Sequence, residues 1–120
     1  MAVWSEGPRN FIAGEDLEAY RRVKIESGTT TSPPEVVYAD AGEACIGTTL
    51  APAKDGESVA VKMLNDSGTR LVEAADSFAV GAVLYGANDG KISAVVSGSI
   101  IGKALEASTS DEEVIEGLFA

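Results

Sequence analysis

Cys45-Ile46-Gly47-Thr48-Thr49-Leu50 runs on through Asp55-Gly56-Glu57 to Val59, Val61 and Met63. Fifty-five positions later, Ile100-Ile101-Gly102-Lys103-Ala104-Leu105 runs on through Asp111-Glu112-Glu113 to Val114, Leu118 and Phe119. At that offset Ile, Gly, Leu, Glu and Val coincide at 46/101, 47/102, 50/105, 57/112 and 59/114. In each copy a β-branched residue and a glycine open a strand, an acidic turn follows, and a second apolar strand closes the unit. A hairpin with one apolar face needs a partner to bury it, so two such units point to an internally duplicated all-β domain. Coincidence between two similar hairpins is the alternative, and two copies are too few for a solenoid. If the duplication holds, Ile46 and Ile101 are buried at matching positions. Gly47 and Gly102 then stand where backbone approaches closely or φ is unusual.

Working outward, the rest of the chain reads the same way. Leu17, Ala19, Val23 and Ile25 alternate with Glu18, Tyr20, Arg22 and Lys24, and Arg21 interrupts the apolar face, to snorkel or to mark an edge. Ser27–Pro34 is a polar loop whose prolines exclude a central strand. Short strands are predicted at Val36–Ala39, Cys45–Leu50, Ser58–Leu64, Arg70–Glu73, Val80–Tyr85, Lys91–Val96, Ile100–Ala107 and Val114–Phe119. Asn65-Asp66-Ser67-Gly68 and Asn88-Asp89-Gly90 supply turn residues that tolerate positive φ. Turns at this spacing define a compact small barrel or sandwich of short antiparallel strands over residues 15–120.

Residues 1–14 differ in kind. They hold Trp4, Arg9, Asn10 and Phe11 with Gly7-Pro8 and a single acid, and show no sustained period, which predicts an extended N-terminal arm. Aromatics and Arg are enriched at interfaces, so Trp4, Arg9, Asn10 and Phe11 are the candidate binding residues. On this reading, removing residues 2–12 leaves a folded domain that has lost its attachment. The alternative is that Trp4 folds back to plug the domain's own barrel.

The composition narrows the chemistry. The 120 residues carry a formal charge of −10, of which 28–120 contribute −9, so nucleic acid and anionic membrane are not expected partners. No apolar run approaches the ~18 residues that cross a bilayer. Met1–Glu6 lacks a secretory pattern, and the single Cys45 reads as an inert core thiol, which fits assembly in a reducing cytoplasm. With no histidine, the common nucleophile-activating arrangements and zinc sites are lost, and no phosphate-binding glycine motif is present. No catalytic residue, metal site or cofactor is therefore assigned. The acid groups Glu15/Asp16, Asp55/Glu57 and Asp111–Glu113 fall in turns, where acids are commonly just solvated. Val61-Lys62-Met63 is similar to the modified-lysine centre of biotinyl or lipoyl carrier domains, but such a lysine must stand at a hairpin tip, and Lys62 lies inside an alternating run.

Four blocks in order carry a family resemblance over residues 9–119. They are Arg9-Asn10-Phe11 with Gly14-Glu15-Asp16-Leu17; Ile46–Leu50 with Ala53–Val61; Val80–Tyr85 with Asp89-Gly90-Lys91-Ile92; and Ile101–Ala107. In these the chain resembles the small head-decoration, or capsid cement, proteins of tailed bacteriophages. The resemblance implies a compact β domain, tulip-like in outline, that is no enzyme. It implies a homotrimer on the outer surface of the virion, bound to the major capsid protein and assembled in the host cytoplasm. The chain departs from the family in ending Val114-Ile115-Glu116-Gly117-Leu118-Phe119 rather than in a V-x-V-x-L strand, and in its long proline-rich loop at Thr29–Pro34.

Overall fold

A computed structural model describes residues 8–119. Five strands form the first half: β1 (Arg9–Ala13), β2 (Arg22–Ile25), β3 (Glu35–Tyr38), β4 (Gly47–Thr49) and β5 (Ser58–Met63). They close into a barrel in the order β1-β3-β2-β4-β5. Five more form the second half: β6 (Arg70–Glu73), β7 (Val83–Gly86), β8 (Ile92–Ser93), β9 (Gly102–Ala104) and β10 (Val114–Phe119), with a 3₁₀ turn at Asn88–Gly90. Their sheet order is β6-β10-β9-β7-β8, and it curls back on itself through one parallel bridge, Ala74↔Ile92.

The two halves are the same unit. Ala13↔Val36 in the first answers to Ala74↔Ile92 in the second, Leu17↔Ala53 to Phe78↔Ser108, Arg22↔Thr48 to Val83↔Lys103, and Phe11↔Val59 to Val72↔Ile115. The offset is 61 residues through β1 and β2, 56 at β3 and β5, and 55 at β4, as those pairs show. The change from 61 to 56 falls in the Ser27–Pro34 loop, which is the longer version of the tight turn between β7 and β8.

Each unit has its own core: Phe11, Leu17, Val23, Val36, Val59 and Val61 in the first, and Val72, Leu84, Ile92, Ala104 and Ile115 in the second. The long axis of the molecule is 44 Å against 25 and 23 Å across, as a small barrel and a curled sheet packed end to end require.

Several expectations are corrected. Residues 9–13 are not an arm. β1 lies between β3 and β5, with Phe11 and Ala13 facing the barrel interior. The odd-numbered alternation Phe11/Ala13 has the same period as any half-buried strand, and only its brevity conceals it. Residues 1–7, including Trp4, lie outside the described residues.

Ile46 and Ile101 do occupy matching positions, but both are half-buried. The glycines beside them are the tight points: a Cβ on Gly47 would stand 2.2 Å from the Lys62 carbonyl oxygen, and one on Gly102 2.1 Å from that of Leu118. The acidic turn is one residue longer in the second unit, so Val59 corresponds to Ile115 rather than Val114. Val59 and Ile115 are buried and Val114 is exposed, as a one-residue slip of register demands. Cys45 is half-buried just ahead of β4.

Candidate functional site

Arg9 and Asn10 are exposed at the start of β1, paired across the ladder with Val61 and Ala60. The Arg9 guanidinium lies over the Phe11 ring, 5.0 Å from its centroid. Phe11 itself is 2% exposed, so it is a core residue and offers nothing for a partner to touch. Lys62 stands within β5 opposite Thr48, paired with Asp66 at 3.6 Å and donating to the Ser67 carbonyl. That is a strand position, not the tip of a hairpin where a swinging arm can be carried.

The acid groups that the sequence offers for chemistry serve local turns instead. Asp16 accepts the backbone N–H of Asp55, Glu57 that of Lys54, and Glu113 both the N–H and the hydroxyl of Thr109. The Lys54/Glu57 and Thr109/Glu113 bonds are equivalent in the repeat. Among the described residues no group of three or more His, Cys, Asp or Glu is placed to hold a metal ion, and no helix is long and apolar enough to cross a membrane.

The joint between the units is where the polar chemistry concentrates, and three arginines build it. Arg22, on β2, is fully buried with no carboxylate partner. Its guanidinium donates to the carbonyls of Ala39 (2.9 Å) in its own unit and of Ala87 (2.8 Å) and Lys91 (3.1 Å) in the other. Burial pushes its pKa down, but a guanidinium stays charged. β7 ends in Gly86 because a Cβ there would stand 2.7 Å from that guanidinium.

Arg70, from the second unit, reaches the other way, to the Lys62 and Met63 carbonyls at 3.0 Å each and to the Thr48 hydroxyl at 3.3 Å. Arg21 is paired with Glu73 of the second unit at 2.8 Å and with Glu18 at 2.6 Å, and it donates to the Asp89 carbonyl. Beside it a groove of about 840 Å³ runs between the units, lined by Glu18, Tyr38, Lys54, Glu57 and Lys91 among others. The sequence missed Arg22 altogether, since strict alternation put it on the solvent side. The signal that it matters is the run Arg21-Arg22 at the start of a strand, two adjacent cations that cannot both face water in a sheet covered on one side.

The outer surfaces of the two units differ. Of the twelve large hydrophobic side chains exposed among the described residues, nine lie beyond residue 70. Those on the sheet line up across it, with Leu118 and Val83 flanking Lys103, and Leu71 beside Glu116.

Acid pH acts on the exposed carboxylates. A hydrogen bond from Lys24 holds Glu43 below its ordinary range, one from Lys91 does the same for Asp111, and bonds from Thr109 for Glu113. Groups depressed on folding stabilise fully above the unfolded carboxylate pKa of about 4 and lose that contribution as pH falls through their folded values. Glu26 opposes them, because its hydrogen bond with Glu35 raises its pKa. The melting temperature is therefore expected to be level from about pH 8 to 5 and to fall below about pH 4. In the Asp111→Asn, Glu43→Gln double variant that fall is shallower. Thermal unfolding across pH checks this, and an unchanged slope in the double variant refutes the assignment.

The chain is thus a duplicated all-β scaffold braced by buried arginines, with most of its exposed large apolar side chains on the second unit. The profile of a family described as phage cement protein matches residues 15–118, and the chain belongs to that family. It is a family of structural, capsid-associated phage proteins. Among solved structures, the N base of the head fiber gp8.5 of bacteriophage phi29 superposes with a TM-score of 0.79 over 94% of this chain and 92% of that one. At 18% identity that likeness is one of fold. No curated protein sequence matches.

Proposed function

We propose that the protein decorates the outer surface of a phage capsid, binding the major capsid protein and stabilising the shell, and that it does so as a homotrimer assembled in the host cytoplasm. The observation that carries this reading is the family match over residues 15–118. The nine large hydrophobic side chains left exposed beyond residue 70 support it, because apolar side chains open in such number on a small unit mark an interaction surface. A standard interface removes about 800 Å² per subunit, and repetition over a lattice multiplies weak contacts. Buried joints and short loops give the resistance to unfolding that a cement needs.

Trp4, Arg9 and Asn10 are the residues proposed to touch the capsid; Phe11 is dropped from that set because it is buried. Residues 2–7 precede β1, so removing them leaves every described strand intact. Sedimentation with undecorated capsids is expected to show that this truncation weakens binding, and that Trp4→Ala alone weakens it by more than about 1 kcal/mol. Full binding by both variants would refute the role of the segment. Failure of the intact protein to pellet with capsids would refute the function.

A further inference from the structure

The duplication leaves one surface of the second unit without the cover that its counterpart has in the first. In the first unit the outward positions of β2, β4 and the chain after β3 are Arg22, Thr48 and Ala39, which are 0%, 1% and 0% exposed because the second unit lies on them. Their structural equivalents in the second unit are Val83, Lys103 and Val95, at the same register positions. Lys62 on β5 is likewise equivalent to Leu118 on β10. These four are open: Val83 is 36%, Leu118 46% and Val95 65% exposed, and Lys103 is exposed too. A surface that accepts a barrel in the first unit is thus present in the second, apolar and uncovered.

The complementary surface also exists twice. The part of the second unit that seats on the first is centred on Ala87 and Lys91, whose backbone groups bond to each other and whose carbonyls receive Arg22. Their equivalents are Glu26 and Glu35, joined by the same backbone bond, Glu26 N–H to the Glu35 carbonyl at 2.9 Å. That end of the first unit carries nothing from the second. It holds half-buried Ile12 and exposed Ile25 beside the two carboxylates. Arg9, the equivalent of Arg70, belongs to the same end.

The charges that meet are fixed by the same equivalences. Lys103 stands where Thr48 receives Arg70, so Arg9 of the other copy falls beside it, and Glu26 and Glu35 bring two carboxylates to these two cations. Neither Lys103 nor Glu26 nor Glu35 takes part in a salt bridge among the described residues.

We infer that the open face of the second unit, Val83, Val95, Lys103 and Leu118, binds the Glu26–Glu35 end of the first unit of another copy of this chain, repeating between molecules the contact made within each. This deepens the proposed self-association by assigning its surfaces. The contact is heterologous: each copy presents one surface of each kind, so the assembly closes into a ring or extends, and a two-fold dimer through matching patches is excluded.

Two single-cysteine proteins test it, Val83→Cys and Glu35→Cys, each in a Cys45→Ser background whose melting temperature is checked first. Arg22 and Lys91, their counterparts, are in hydrogen-bond contact. A short bis-maleimide linker is added to each protein alone and to the mixture, without capsids. The expected result is a cross-linked dimer in the mixture and none from either protein alone. Links between two copies of the Val83→Cys protein would mean a two-fold contact and overturn the proposal, as would no link in the mixture at about 100 µM. Adding Leu118→Glu to the Val83→Cys protein is expected to lower the mixed yield at least tenfold with an unchanged melting temperature; an unchanged yield also overturns the proposal. Because capsids are absent, a negative result leaves the capsid-binding reading standing. Conversely, cross-linking by a protein that fails to pellet with capsids sinks the functional reading alone.

Discussion

Replacing Arg22 by Ala is expected to destabilise the protein by about 2–5 kcal/mol, the scale for emptying a fully buried large side chain and breaking its hydrogen bonds. The side chain is fully buried, and its removal takes the guanidinium from the Ala39, Ala87 and Lys91 carbonyls at once. The Ala39 and Lys91 carbonyls keep backbone donors in Gly90 and Ala87, so the Ala87 carbonyl is the acceptor left bare, at about 1–3 kcal/mol unless water enters the space. Against a total stability of about 5–15 kcal/mol this is a large fraction. Arg22→Lys is expected to recover little, because one ammonium on a flexible stem cannot reproduce a planar fork that spans two units. Urea unfolding checks both variants. A midpoint in Arg22→Ala within about 0.5 kcal/mol of wild type would mean that the joint contributes nothing to stability.

The repeat was legible because its key positions are backbone-driven. Ile-Gly at 46/47 and 101/102 recurs since the opposing strand carbonyl leaves no space for a side chain at the second position in either unit. The acids of the turns recur for a similar reason, each bonding a backbone N–H. The first half of each unit was not legible as a repeat. Phe11 answers to buried Val72 and Leu17 to half-buried Phe78, keeping the place in the fold but not the identity, and the 61-residue offset there hides them from a search at 55.

The joint between units was the other blind spot. Tyr20 adopts a left-handed φ of 63°, where its equivalent is Gly81 at 85°. That turn breaks the alternation read from Leu17 onward, so the strand starts afresh at Arg22. Arg22 is still outward with respect to its own barrel, as the alternation says, but outward there means into the second unit. A pattern of period two distinguishes the faces of one sheet and carries no information on which face another unit will cover.

Removing residues 2–12 is expected to unfold the first barrel, the reverse of what an arm over 1–14 implies. The deletion takes Arg9 to Ile12 and with them the pairing of β1 to both β5 and β3. Two sheet edges would be left where a closed ring stood, and open strand edges invite pairing with other chains. Phe11 is among the largest fully buried side chains of the molecule, packed within the first core with Val23, Val36 and Val59. Phe11→Ala alone is expected to cost about 3–5 kcal/mol, by the lost transfer energy and the cavity left behind. The deletion should exceed that and give aggregation or a single unfolded first unit in thermal and urea melts. The truncation 2–7 separates strand from segment, since it spares β1. If the 2–12 deletion melts like the intact protein, β1 is dispensable and the closed barrel is wrong. If it unfolds while the 2–7 truncation melts normally, any loss of capsid binding in the shorter truncation belongs to residues 2–7 themselves and not to a damaged barrel.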